Sequence, residues 1–436
     1  MERILPFKAL RYNKNVVGDL GAVMAPPYDV ISEQQQIKLH NSHPFNAIRL
    51  EYGLVNETDN ETDNRYTRSA ETLSEWTHSG VIVPDRQPAI YVYSHEFDLG
   101  DGQMQSCKGV VCLVRLDEFE MGTVLPHEET HPKAKNDRLK LMMECGVNFS
   151  PIYSLYLDEE KRIDGILQDV TAEPPDVSAK TSDGVVQKLW PVTDSEIIEN
   201  ITAVLADKQF FIADGHHRYE TALNYRNWMR EHNPEHTGSE PYNYVMMFLA
   251  DMQQSGLCIF PTHRMVRNVV GYSEAGVISQ LEQGFNISKI YSEDMESEIE
   301  RKLAENKDIP TFAMYTGKEY YYLLRLKDYS FADEVNAEKS IALRHLDVTV
   351  LHSLVLGKAF GMTEAELKKQ DFLSFTREIP VALERVKNGD FQCAFMLNPT
   401  KIHEIRDVSL VNEKMPQKST WIYPKIKTGL IMNKIN

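Results

Sequence analysis

No run of about 18 apolar residues occurs in this chain, so no membrane span is expected. The opening stretch, MERILPFKALRYNK, also lacks the apolar core of a secretory signal. Cysteine is scarce: five residues, Cys107, Cys112, Cys145, Cys258 and Cys393, odd in number and without a C-x-x-C pair. That pattern excludes a disulfide scaffold and predicts free thiols in a reducing compartment. A cytoplasmic protein is therefore expected, and the Asn-x-Ser/Thr matches at Asn56, Asn60 and Asn148 carry no weight. Positive charge is in deficit. Lys and Arg number 47 against 64 Asp and Glu, a net charge of −17 with a pI near 5.3. Such a chain repels phosphate backbones and anionic lipid, and no local basic patch offsets the repulsion, so neither nucleic acid nor membrane is an expected partner. A Walker A loop, a G-x-G-x-x-G fingerprint and a G-x-S-x-G elbow are missing too.

What is present is ordinary globular material, 42% hydrophobic and 25% charged, in 436 residues. That length exceeds what one hydrophobic core usually organises, which predicts two domains. Strand-like stretches at 89–97, 109–116, 150–157, 210–214, 243–251 and 257–266 alternate with helix-like stretches at 33–40, 66–79, 136–145, 194–206 and 217–231. The mixture predicts an α/β fold, with α+β as the alternative. After Val266 the character changes: helices over 273–283 and 293–306, a hairpin from TFAMYTG and EYYYLLRLK, one strong helix in ALRHLDVTVLHSLVLGKAF, and a strand in FQCAFMLNP. A boundary near 267–272 is predicted, giving an N-terminal α/β domain over 1–268 and a C-terminal α+β domain over 269–436.

The chemistry concentrates in FFIADGHHRYETAL (210–223). Phe210–Ala213 reads as a short buried strand, and from Tyr219 the period becomes helical, with Tyr219, Ala222, Leu223 and Met229 on one face. Asp214-Gly215 is the corner between them, with Asp214 at a helix-capping position. Such corners present backbone N–H groups and the positive end of a helix dipole to anions. Gly215, His216, His217 and Arg218 do nothing for the helix start itself, so the stretch predicts a phosphate site. Adjacent histidines diverge on a helix, which disfavours a metal site there.

HEETH (127–131) matches the zincin pattern, in which two histidines of one helix hold zinc and the glutamate activates its water. Pro126 and Pro132 flank it, and Pro132 biases His131 away from helical geometry. A loop leading into a helix near Asn136 is the better reading, with Lys133, Lys135 and Arg138 available to an anion. In APPYDVIS (25–32) two prolines stiffen a turn that carries Tyr28 and Asp29, with Ser32 as a cap for the helix that follows. NAIRLE (46–51) puts Arg49 and Glu51 on one side of an expected strand. FPTHRMV adds His263 and Arg264, and MPQKSTWIYPKIKTGL adds Lys418 and Lys425 among phosphate-friendly residues.

Together, ADGHHRYETA, APPYDVIS, HEETHPKAKNDR, PTHR and MPQKSTWIYPK resemble, over nearly the whole chain, a large prokaryotic family known only as a domain of unknown function. Its members often sit beside serine-biosynthesis genes. The short Asp214–Arg218 stretch also resembles the ParB/sulfiredoxin-like proteins, including the free serine kinases, which carry Asp-Gly-His-His-Arg. That second resemblance implies a ParB/sulfiredoxin-like nucleotide-binding core, with Gly215, His216, His217 and Arg218 on nucleotide phosphates and Asp214 positioning magnesium or the acceptor. Sulfiredoxins use a cysteine where His216 stands here, so their reaction is not implied.

These readings converge on a magnesium-dependent phosphotransferase using ATP or ADP, with free L-serine as the leading acceptor. Pyrophosphate as donor and the phosphoserine-hydrolysing direction stay open. Asp29 and Glu51 are the candidate bases, with Asp214 and His217 as catalytic partners. Lys135, Arg138 and Lys418 join the phosphate set. Tyr28, Arg49, His263 and Arg264 are the candidate substrate contacts, Arg264 for a carboxylate. The alternatives are a zinc hydrolase on His127, Glu128 and His131, and a non-catalytic nucleotide or amino-acid sensor.

Overall fold

The structure is a computed structural model and describes residues 2–100, 102–369 and 371–436. Two compact units emerge. The first comprises Met1–Pro126, Thr130–Cys258 and Pro424–Asn436; the second comprises His127–Glu129 and Ile259–Tyr423. The main break thus falls at 258/259 rather than 268/269, and the chain returns to the first unit for its final segment. Two features hid this. The stretch 257–266 reads as one strand but is two, Cys258–Phe260 and His263–Val266, parted by Pro261-Thr262. A returning tail leaves no periodicity to read.

The first unit is built on a nine-stranded mixed sheet. In chain order its strands are β1 (Ile4–Leu5), β2 (Ile90–Asp98), β3 (Met104–Arg115), β4 (Val124–Leu125), β5 (Ile152–Tyr156), β6 (Val177–Lys180), β7 (Val186–Val192), β8 (Phe210–Asp214) and β9 (Tyr244–Asp251). Their spatial order is β4-β8-β5-β9-β3-β2-β7-β6, with β1 paired to β3. The β8–β4 and β9–β5 pairs are parallel and the others antiparallel. Strands β5 and β8 are buried at every position and β9 at all but its last, as expected for strands covered on both faces. Each fully buried Phe such as Phe210 or Phe248 contributes about 1.5–3 kcal/mol by leaving water. One core cluster packs Tyr219, Ala222 and Leu223 against Phe210, Ile212 and Val245.

The helix His216–His232 covers this sheet, and its buried residues include the expected Tyr219, Ala222 and Leu223. Arg230 and His232 in its last turn suit the negative end of its dipole. The helix expected near Asn136 starts earlier, at Pro132, because proline is well suited to a first helical position. NAIRLE is not a strand: Ile48–Glu51 forms a single helical turn. Ser32 does cap Glu33–Ser42, through a reciprocal capping box with Gln35.

The second unit carries a six-stranded antiparallel sheet: β10 (His263–Val266), β11 (Phe285–Tyr291), β12 (Thr311–Tyr315), β13 (Tyr320–Leu326), β14 (Leu373–Thr376) and β15 (Cys393–Leu397), ordered β11-β13-β12-β15-β10-β14. The β12–β13 hairpin is the one expected from TFAMYTG and EYYYLLRLK. The single strong helix expected from ALRHLDVTVLHSLVLGKAF is instead two short turns, Ile341–Arg344 and Asp347–Val350, followed by a π-helix, Leu351–Ala359. Among the described residues no helix is long and apolar enough to cross a membrane.

Candidate phosphate-binding site

Strand β8 ends in an irregularity. Ile212 pairs with Ser154 but Asp214 pairs with Tyr153, so the register slips by one at Ala213. A bulge of this type re-aims the side chain that follows it, here Asp214. Gly215 then turns the chain with φ 99° and caps the helix without a side-chain bond. Asp214 is therefore not the cap expected of it. Its carboxylate accepts from Arg218 NH2 at 2.6 Å and from Lys425 Nζ.

Arg218 folds back over the glycine. A Cβ on Gly215 would lie 2.9 Å from Arg218 Nε and 3.1 Å from Cζ. The guanidinium also donates from NH1 to Ser150 Oγ (2.9 Å) and to the Pro151 carbonyl (2.6 Å). Ser150 Oγ donates onward to Glu51 Oε1 (2.6 Å), and Glu51 Oε2 accepts from Thr428 Oγ1. Glu51 is 5% exposed, so this relay is a buried polar chain with every named partner satisfied.

Arg138 joins from the helix Pro132–Cys145. It donates to the Glu51 carbonyl (2.8 Å) and to Asp137 Oδ2, and the Tyr28 ring lies 4.1 Å from its Cζ. Burial raises the Tyr28 phenol above its usual range, with Asp29 adding to the rise and Arg138 and Arg218 opposing it. Asp29 is exposed, beside Tyr28 on a short 3-10 turn. One turn along the long helix, Glu220 Oε2 accepts from Lys135 Nζ (2.6 Å) and Thr130 Oγ1 (2.8 Å). His217 Nε2 accepts the backbone N–H of His131 (2.9 Å), which places the neutral ring's proton on Nδ1. The two imidazoles stack at 6.1 Å. His216 is buried, at 3% exposure.

Arg65, Arg138, Arg218 and Lys425 are thus linked with Asp137, Glu51 and Asp214 in one network, and the Lys135–Glu220 pair lies apart from it on the same two helices. These cations are paired with carboxylates, and Asp29 adds a further negative charge beside Tyr28. What an arriving anion meets here is the positive end of a helix.

Of the sequence-predicted residues, Tyr28, Glu51, Arg138, Asp214, Gly215 and Arg218 are joined by these contacts, with Lys135 and His217 on the same pair of helices. Arg49 is not with them. On a single helical turn, residues two apart point to different sides, and Arg49 donates to the His40 carbonyl at 2.8 Å. His263, Arg264 and Lys418 belong to the second unit. There Arg264, 1% exposed, donates to the carbonyls of Thr262 and Lys418 (3.2 Å to the latter) and lies over the Phe375 ring. Burial lowers it to about 9 and lowers His263 to about 4. Both side chains are sealed in the unit's interior rather than offered to a substrate.

Two metal expectations meet the geometry. A magnesium ion on Asp214 does not fit the residues present, because both carboxylate oxygens already take cationic partners. HEETH is not helical: the segment is extended, Glu128 bridges to Met415, His127 Nε2 pairs with Thr420 Oγ1 at 3.0 Å, and the helix begins only at Pro132. Its histidines therefore do not share a helical face, and the zincin geometry is not met. Among the described residues no group of three His, Cys, Asp or Glu is placed to hold a metal ion. Ser150 and Thr428 were not singled out by sequence, and Lys425 stood only in a phosphate-friendly stretch. They join the turn through separations of 68 (Ser150–Arg218), 377 (Thr428–Glu51) and 211 (Lys425–Asp214) residues.

A family model described as "Protein of unknown function (DUF1015)" matches residues 4–349. No curated protein matches the chain by sequence. Among solved structures, a free serine kinase in complex with AMP is 12% identical over 75% of this chain and 91% of its own, with a TM-score of 0.35. C-terminally truncated SbnI from Staphylococcus aureus is 11% identical over 74% of this chain and 82% of its own, TM-score 0.33. A conserved hypothetical protein from Pyrococcus furiosus is 13% identical over 74% and 95%, TM-score 0.33.

Proposed function

The chain belongs to the DUF1015 family, and for this member we propose a nucleotide-dependent phosphotransferase acting on a small hydroxylated metabolite, with free L-serine as the acceptor. The observation that carries the reading is the left-handed Gly215 turn at the head of the helix His216–His232, with Arg218 and Lys425 held beside it on Asp214. Helix N-termini bind phosphate through backbone N–H groups and the dipole. Phosphoryl transfer asks little covalent work of a protein beyond positioning and charge stabilisation.

In this reading the first helical turn, His217 and Lys425 hold the transferred phosphate. Arg218 is a positioning residue: its hydrogen bonds to Asp214, Ser150 and Pro151 lock the turn. Glu51 is occupied by two hydroxyl donors, whereas Asp29 is exposed, so Asp29 is the base that takes the acceptor's hydroxyl proton. The hydroxyl oxygen forms the new P–O bond as the bond to the nucleotide's leaving oxygen breaks. No step is assigned to a metal bound by Asp214.

The test is incubation of the full chain with L-serine and the magnesium salt of ATP, ADP or pyrophosphate, with O-phosphoserine followed by mass spectrometry. Phosphoserine from a nucleotide, lost in His217→Ala and Asp29→Asn, is the expected result. No product with any donor overturns the reading. Nucleotide protection from thermal unfolding without turnover would make the protein a sensor.

A further inference from the structure

The second unit holds a cavity of about 380 Å³ that the phosphate site does not use. This is within the range that encloses small metabolites. Val335, Leu343, Met362, Leu367 and Met415 give it an apolar side. Thr349, His352 and Gln417 border it with polar atoms shielded from solvent, Oγ1, Nε2 and Nε2 respectively, none of which finds a hydrogen-bond partner among the described residues. Unmet groups of this kind are destabilising, and a ligand supplying the missing partner removes that cost. Gln417 Nε2 is a donor, so it requires an acceptor.

Two further observations set the character of the ligand. Arg264 is fully buried in the same unit, and among the described residues no carboxylate pairs with it; its acceptors are backbone carbonyls. Its charge reaches His352 in the cavity wall, where burial first, then Arg264 and Lys339, hold the imidazole down at about 3. Glu129, Glu338 and Glu364 border the cavity too, and Arg264 reaches its Gln417 end through the bond to the adjacent Lys418 carbonyl. The wall itself is the π-helix Leu351–Ala359, which supplies His352, Ser353 and Gly357. Such helices are rare, mostly single-turn, and frequent at functional sites.

We propose that this cavity binds a small organic anion, with an apolar body against Leu343, Met362 and Leu367 and its acidic head towards Gln417 and His352. Lys339 and Lys368 at the rim are paired with carboxylates, Lys339 with Glu338 at 3.7 Å and Lys368 with Glu129 at 2.9 Å. Arg264, by contrast, has no carboxylate partner among the described residues. The site stands independently of the phosphotransfer reading.

The test uses a matched pair of fluorescent probes on the full chain: 8-anilinonaphthalene-1-sulfonate, an apolar anion, and N-phenyl-1-naphthylamine, the same rings without the acidic group. One saturable site for the anion is expected, with the neutral probe at least tenfold weaker. Leu367→Trp, which fills the apolar side, should weaken the anion at least tenfold at unchanged thermal midpoint. Should that variant unfold, Gln417→Leu carries the same test, because it alters a half-buried residue outside any helix or strand and should weaken the anion at least threefold. Absence of saturable binding, equal affinity for the neutral probe, or affinity unmoved by a folded variant would each overturn the proposal.

Discussion

Gly215 and Arg218 are shaped to one another: the guanidinium occupies the space in which any other residue at 215 would carry its Cβ. Gly215→Ala therefore meets two penalties, a left-handed backbone at φ 99° and a collision with Arg218. It should cost about 2–3 kcal/mol in urea denaturation. Gly184, at φ 86° with open space around its Cα, isolates the backbone penalty, and Gly184→Ala should cost only about 1 kcal/mol. Equal losses in the two variants would show that the Arg218 contact is immaterial.

Asp214 bridges Arg218 and Lys425, and the three side chains are only 10–12% exposed. Asp214→Asn should destabilise by about 3–5 kcal/mol, because two buried cations are left facing each other. Removing one of them, in Asp214→Asn combined with Lys425→Met, should recover at least about 1 kcal/mol of that loss. Strict additivity of the single changes would contradict the network.

Activity and stability should separate at the two acids. Asp29→Asn should lower phosphoserine formation by about 10²–10⁴-fold with an unchanged melting point. Glu51→Gln places an amide N–H₂ against a hydroxyl donor, Ser150 or Thr428, and should cost about 1–3 kcal/mol of stability. A Glu51→Gln variant of full stability and no activity would transfer the role of base to Glu51.

Asp347 in the second unit carries a pH signature. Burial, then the nearby charge of Glu404, raises it to about 7. The folded chain therefore keeps a proton that the unfolded chain releases near pH 4, and the stability this residue confers falls as pH rises through about 4 to 7. Asp347→Asn removes the titration. Its gain in unfolding free energy should be about 1–3 kcal/mol larger at pH 8 than at pH 4.5, measured by urea unfolding at each pH. A pH-independent gain would place Asp347 in a more hydrated setting.

The strand-turn-helix at 210–232 was legible because a short continuous apolar run gives way, across a glycine, to a helical period. Ser32 was legible as a cap because Gln35 completes its box three residues on. Glu51 was recognised as a candidate but misplaced, since four residues are too few to show a period that tells a helical turn from a strand. The π-helix at Leu351–Ala359 was invisible for a related reason: its residues suit an α-helix equally well, and only packing decides the wider winding. Asp214 looked like a cap from its position before a helix. A bulge one residue upstream, which no local pattern announces, turned it towards Lys425.

The order in which the chain is made gives the C-terminal segment a further significance. Lys425 and Thr428 lie beyond the whole second unit in sequence, yet one neutralises Asp214 and the other closes on Glu51. Sheet, turn and long helix are all synthesised well before these two residues exist. A nascent or prematurely ended chain thus lacks Lys425 and Thr428, and the contacts around the candidate phosphate site are complete only when translation has passed residue 428.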